Sequence, residues 1–133
     1  MKIVLAWYQT KLYIKATKGV QDARIKFRLW CENKKEWETD TWVLWSNGLI
    51  YDIKLKKSMN RKTHILEEYT GLHDKNGKEI YEGDICTFYD GEIVEVLFEK
   101  GKFILNGKEI SLMWNPNFAE VIGNIHQNPE LLK

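Results

Sequence analysis

Asp74, Glu79, Glu82 and Asp84 bring four carboxylates into one short stretch, and paired carboxylates are the first chemistry to weigh. Acid–base catalysis needs two such groups in a cleft with their pKa values pushed apart. On an unbroken strand Glu82 and Asp84 share one face, opposite Glu79 and Tyr81, which offers one pair. A calcium loop would require further oxygen ligands at set offsets, and the segment lacks them. The simpler expectation assigns these groups to turns and strand edges, with Asp84 bonding backbone amides beside Gly83. His64, His73 and His126 stand far apart, none with a Cys or carboxylate at metal-ligand spacing. Neither Cys31 nor Cys86 sits in a nucleophile motif, although His73 or His126 approaching Cys86 in space would make a nucleophilic pair. The chain has no Walker loop, dinucleotide fingerprint, His-Glu-x-x-His or zinc quartet. A protein without catalytic residues, cofactor or metal is therefore expected.

Aromatic residues carry the other signal. Trp indoles offer stacking platforms for single-stranded nucleic acid when a basic groove accompanies them. Lys26, Arg28, Trp30, Lys34 and Lys35 form that combination in the first half of the chain. The competing reading places Trp30, Trp37, Trp42, Trp45 and Trp114 in the core or at an interface, where Trp is enriched. That reading is favoured, with Trp37, Trp42 and Trp45 as the candidate interface residues.

Charge is split along the chain. Residues 1–66 hold 14 Lys and Arg against 6 Asp and Glu, a surplus of +8, and residues 67–133 hold 6 against 13, a deficit of −7. Such halves attract each other within or between chains, or the first presents a basic face to phosphates. The Lys54–Lys62 run, which lacks any Gly-rich or aromatic RNA motif, reads as a solvated connector. No apolar stretch approaches the ~20 residues of a membrane helix. The start is too briefly apolar for a secretory signal. The two Cys read as buried hydrophobes in a reducing cytosol. A soluble, cytoplasmic protein follows as the expectation.

The elements that must position these groups are strands. With 13% aromatic residues and six Trp, the chain leans toward β structure. Ile25, Phe27 and Leu29 alternate with Lys26, Arg28 and Trp30. Thr41–Trp45 and Leu49–Leu55 flank Ser46-Asn47-Gly48, whose Asn-Gly pair supplies the positive φ angles of a tight hairpin. Glu92–Phe98, Phe103–Asn106 and Glu109–Met113 form a meander with short turns. Asp74–Lys78 is a turn cluster before Ile80–Phe88, where Gly83 lets the chain bend. Five such strands predict a small SH3-like barrel. Met59–Glu68 has room for a helical turn or two, and Asn128-Pro129-Glu130 reads as N-cap, N1 and first-turn acid of a short terminal helix.

Tyr69-Thr70-Gly71-Leu72, continuing through Asp74–Ile85, resembles the central signature of the YopX family. Glu120–Leu132 resembles its closing motif, and Ile25-Lys26-Phe27-Arg28-Leu29-Trp30 is similar to its opening element. The resemblance spans Ile25 to Leu132; Met1–Arg24 precede it, with Lys2–Trp7 and Lys11–Ala16 expected to pair as an extra hairpin. It implies a phage or prophage origin and a mainly β fold: an irregular N-terminal β region, 1–62, with 1–24 extra to the family pattern, and an SH3-like barrel, 63–133. It supplies no activity and no site residues. The expectation is an all-β, non-enzymatic protein-interaction module of a phage or prophage, self-associating or bound to a phage or host protein. Single-strand nucleic-acid binding is the alternative.

Overall fold

Tight turns decide which strands pair. The computed structural model describes 5–8, 11–15, 26–39, 41–88, 90–105, 108–109 and 119–133, with backbone alone at 5–8, 11–15 and 108–109. Trp114 and the expected strand residues 110–113 lie outside the described residues. The chain divides into two compact units, Met1–Leu66 and Glu67–Lys133. Both are built from strands, so the fold is all-β; among the described residues the one helical element is a 3-10 turn at Pro129–Leu132. No helix of the described residues is long and apolar enough to cross a membrane.

In the first unit, β1 (Leu5–Tyr8) and β2 (Lys11–Lys15) form the expected extra hairpin. β2 pairs with β5 (Trp42–Trp45), which pairs with β6 (Ile50–Asp52), and β7 (Lys57–Ser58) closes the row. The β5–β6 turn differs in detail from a two-residue Asn-Gly turn. Gly48 has φ +85° while Asn47 keeps negative φ, giving a three-residue loop closed by Trp45 N to Leu49 O at 2.8 Å. β6 is also shorter than the expected Leu49–Leu55, because the Asp52 carboxylate accepts Leu55 N–H at 2.8 Å and folds 53–56 into a turn. The basic run that follows is not a connector. Its Lys and Arg side chains are exposed, but β7 pairs with β6 and Met59 packs into the core with Leu29, Trp42 and Ile50. β3 (Phe27–Cys31) and β4 (Glu36–Trp37) make a second hairpin. Met59–Glu68 holds one turn around Asn60 and no helix; from His64 it is strand β8 (His64–His73).

The second unit rests on a five-stranded antiparallel sheet. Its order is β13 (Lys108–Glu109), β12 (Lys102–Leu105), β11 (Ile93–Glu99), β10 (Asp84–Phe88) and β14 (Ala119–Asn124). Lys100 and Gly101, at φ +50° and +78°, form the two-residue turn that joins β11 to β12. Alternation then carries Val94 and Val96 inward beside Ile80, Cys86, Leu105 and Val121. β9 (Glu79–Tyr81) pairs with β8.

Two residues, Gly83 and Asp74, position strands of this sheet. Gly83 adopts φ +82°, which breaks the expected Ile80–Phe88 strand into β9 and β10. A Cβ at this position would collide with the Glu67 carboxylate. Asp74, 4% exposed, accepts Asn76 N–H and Lys78 N–H at 2.9 Å through one oxygen and Val121 N–H at 3.0 Å through the other. Burial pushes its carboxyl up, but the three N–H donors and the Lys78 charge outweigh that and hold it below the usual value.

Gly83→Ala is expected to cost at least about 2 kcal/mol in urea unfolding, from the left-handed backbone and the displaced carboxylate together. Asp74→Asn is expected to cost about 2 kcal/mol at pH 7. Since the folded pKa of Asp74 lies below the unfolded 3.8, its charge stabilises fully above that value and loses its effect as the pH falls through the folded pKa. The difference between the two proteins should therefore shrink at pH 3; an unchanged gap would show that the charge is not what holds the turn.

Candidate functional site

Among the described residues, the β3–β4 hairpin of the first unit builds a surface feature with a cleft beside it. Its loop closes through Lys35 N to Cys31 O at 2.9 Å, with Lys35 at φ +57°, and places Trp37 opposite Trp30. The two indoles meet edge to face at 5.1 Å, and the Arg28 guanidinium lies 4.2 Å over the Trp37 ring. Arg28 and Trp30 reach the same indole because residues two apart on a strand share a face. Beside this stack opens a cleft of about 350 Å³. Trp37 and Leu55 form its apolar lining, with Thr39 and Thr41, and Lys34, Lys54, Glu36, Glu38 and Asp52 supply the charges.

The charges decide what the cleft suits. Two Lys against three carboxylates leave the lining slightly negative, and Lys34 Nζ is already engaged by Glu38 at 2.8 Å. That contact, ahead of the cost of burial, raises the Lys34 pKa. Lys35 likewise pairs with Glu32. Lys26 and Arg28 are half-buried, and Trp30 is 1% exposed with its indole N–H donated to Glu32 at 2.9 Å. Of the five residues grouped by sequence as nucleic-acid ligands, Trp30 thus has no open ring face. Of the three candidate interface residues, Trp42 is 2% exposed and belongs to the core, while Trp37 and Trp45 are half-buried. The structure brings Trp37 to the cleft together with Leu55 and Asp52, which the sequence did not single out.

The carboxylate cluster in the second unit separates. Gly83 turns the chain between Glu82 and Asp84, so they do not share a strand face as an unbroken strand would require. Asp84 is 1% exposed and accepts Tyr81 N–H at 2.8 Å, the amide-bonding role expected of it. Asp74 holds backbone amides, and Glu79 accepts the Tyr81 hydroxyl at 3.2 Å. The histidines also have posts. His73 Nδ1 lies 3.3 Å from the Tyr69 hydroxyl, whose pKa is raised by burial and by Glu79. His126 bonds the buried Glu67 carboxylate. Burial, then the Glu67 charge, raises the Glu95 carboxyl, with His126 opposing. His64 Nε2 faces Glu38 at 3.6 Å, and Cys31 lies alongside, a grouping that no spacing in the sequence announces.

Cys86 is fully buried, and its thiol is pushed up to about 12 by burial first and the Asp84 charge second. It is therefore protonated at neutral pH, the wrong state for a nucleophile. Relative to an ordinary thiol at 9.0, its thiolate fraction is reduced roughly a thousandfold. Native-state alkylation at pH 8, read by peptide mass, should leave Cys86 unmodified until denaturant is added; rapid labelling of the folded chain would contradict this burial.

Comparison with known proteins bears on ancestry. The family model described as YopX protein matches residues 26–133. Among solved structures, protein EF1440 from Enterococcus faecalis superposes with a TM-score of 0.57 at 24% identity, covering 82% of this chain and 98% of that one. Protein yopX from Bacillus subtilis does so with a TM-score of 0.53 at 25% identity, covering 80% and 97%. No curated protein matches the chain.

Proposed function

The chain belongs to the YopX family, and on that premise we propose that it is a non-enzymatic protein-binding module of a phage or prophage, working in the cytoplasm of the bacterial host. The observation that carries this reading is the lining of the cleft. Trp37, backed by Arg28, and Leu55, 58% exposed, form an apolar floor ringed by charges of both signs. Binding energy at protein interfaces concentrates on Trp and Arg anchors inside a polar rim, which is this arrangement. A phosphate backbone instead needs a surplus of positive charge, and the cleft has a small negative one. Nucleic acid is therefore the weaker reading, although Lys26, Arg28, Lys34 and Lys35 keep it testable. We take the second unit's five-stranded sheet as a roll of SH3-like type with a structural role. Self-association is the first partnership to test, because the +8 and −7 halves of two copies attract, and such head-to-tail contacts must close into a ring to stay finite.

Leu55→Asp should change stability by less than about 0.5 kcal/mol, since the side chain is exposed. Affinity capture from host lysate, with and without nuclease, should return a protein bound by the wild type and lost with Leu55→Asp. Capture that disappears with nuclease would favour nucleic acid, and capture indifferent to Leu55→Asp would remove the cleft from the account. Sedimentation at rising concentration and low salt tests the self-association half; a monomer throughout ends it.

A further inference from the structure

Cys31, Glu38 and His64 come from the end of β3, the segment after β4 and the start of β8, all within the first unit. Their ligand atoms, Sγ, a carboxylate oxygen and a ring nitrogen, lie within 4.8 Å of one another. We propose that these three side chains form a zinc site with a fourth position open to water or to a side chain of a bound partner.

Geometry carries the first part of the argument. Zinc binds thiolate at about 2.3 Å and imidazole or carboxylate at about 2.0–2.2 Å, so two tetrahedral ligands stand roughly 3.3–3.7 Å apart. His64 Nε2 and Glu38 Oε1 are separated by 3.6 Å, too long for a strong hydrogen bond and within that span.

Orientation carries the second part. The Asn60 carbonyl lies 3.2 Å from His64 Nδ1, and a carbonyl only accepts. Thr63 Oγ1, 3.1 Å from the same nitrogen, also lies 3.2 Å from that carbonyl, and with its proton on the carbonyl it accepts from the ring. The Asn60 carbonyl therefore favours the ring proton on Nδ1, and Thr63 is compatible with it. The Nε2 lone pair is then left facing Glu38, the arrangement that metal-ligating histidines use.

Thiolate, imidazole and carboxylate together suit zinc over magnesium or calcium, which take oxygen ligands. Access is provided by Glu38, which also lines the cleft. Without metal, Lys34 neutralises Glu38; its exposed side chain is free to swing to solvent as the divalent ion takes its place. On binding, the Cys31 S–H bond breaks, its proton passes to solvent and the sulfur lone pair forms the metal bond, with no change of oxidation state.

Cobalt(II) titration of the whole chain, stripped with chelator, tests the site. The expected result is one ion per chain with a thiolate-to-cobalt charge-transfer band that zinc bleaches. The band should vanish in Cys31→Ser and persist in Cys86→Ala. Glu38→Gln and His64→Gln keep the thiol and should weaken binding at least about tenfold. No band with folded wild-type protein, or a band that survives Cys31→Ser, would overturn the proposal. Should Cys31→Ser fail to fold by circular dichroism, unchanged affinity in both remaining variants would overturn it equally.

Discussion

One buried carboxylate organises the second unit. Asp74 closes its own turn with Asn76 and Lys78 and, through its other oxygen, holds Val121 of β14. A charge this deep is tolerated only because backbone dipoles replace the water it gave up. The attachment is reinforced at its rim, where Lys75 N–H reaches the Ala119 carbonyl and Lys75 and Asn76 both contact Glu120. β14 in turn completes the sheet against β10. Losing Asp74 would therefore loosen a turn and a strand together.

Close approaches explain why the distinctive segments read as they do. Gly83 leaves space for the Glu67 carboxylate that pairs with His126, and Gly123 leaves space for Asn128. Asn128 consequently does not cap the final turn as its position suggested; its side chain accepts Asn124 N–H at 3.2 Å. Asn124 in turn accepts the amides of His126 and Gln127. The segments that resemble the family pattern are thus dense in side chains that bond backbone.

Elements with local causes were legible in the sequence. The turns at Gly48, Gly77 and Lys100-Gly101 place hairpins because their φ angles need nothing distant, and Val94 and Val96 alternate as buried strand residues do. Met59–Glu68 was harder. Its polarity leaves room for a helical turn or two, whereas the chain enters β8 from His64 and buries Glu67 against His126, remote in sequence. The expected Leu49–Leu55 strand exceeds β6, since Asp52 ends β6 through a side-chain bond that alternation does not register. The cleft was half visible. Trp37 stood out, but Leu55 and Asp52 join it only through the packing of separate hairpins. Cys31, Glu38 and His64 were invisible for the same reason. In contrast, the charge division at residue 66 coincides with the boundary between the two units, so composition carried architectural information.

The pairing of β10 with β14 has a kinetic consequence. Asp84 lies opposite Asn124 across the intervening meander, so this contact closes a long loop, and such contacts form slowly. Chains emerge from the ribosome N-terminus first. The first unit then has all its strands available while the second still waits for β14, with Val94 and Val96 lacking part of their cover. That interval, with part of the second unit's core uncovered, ends when β14 docks.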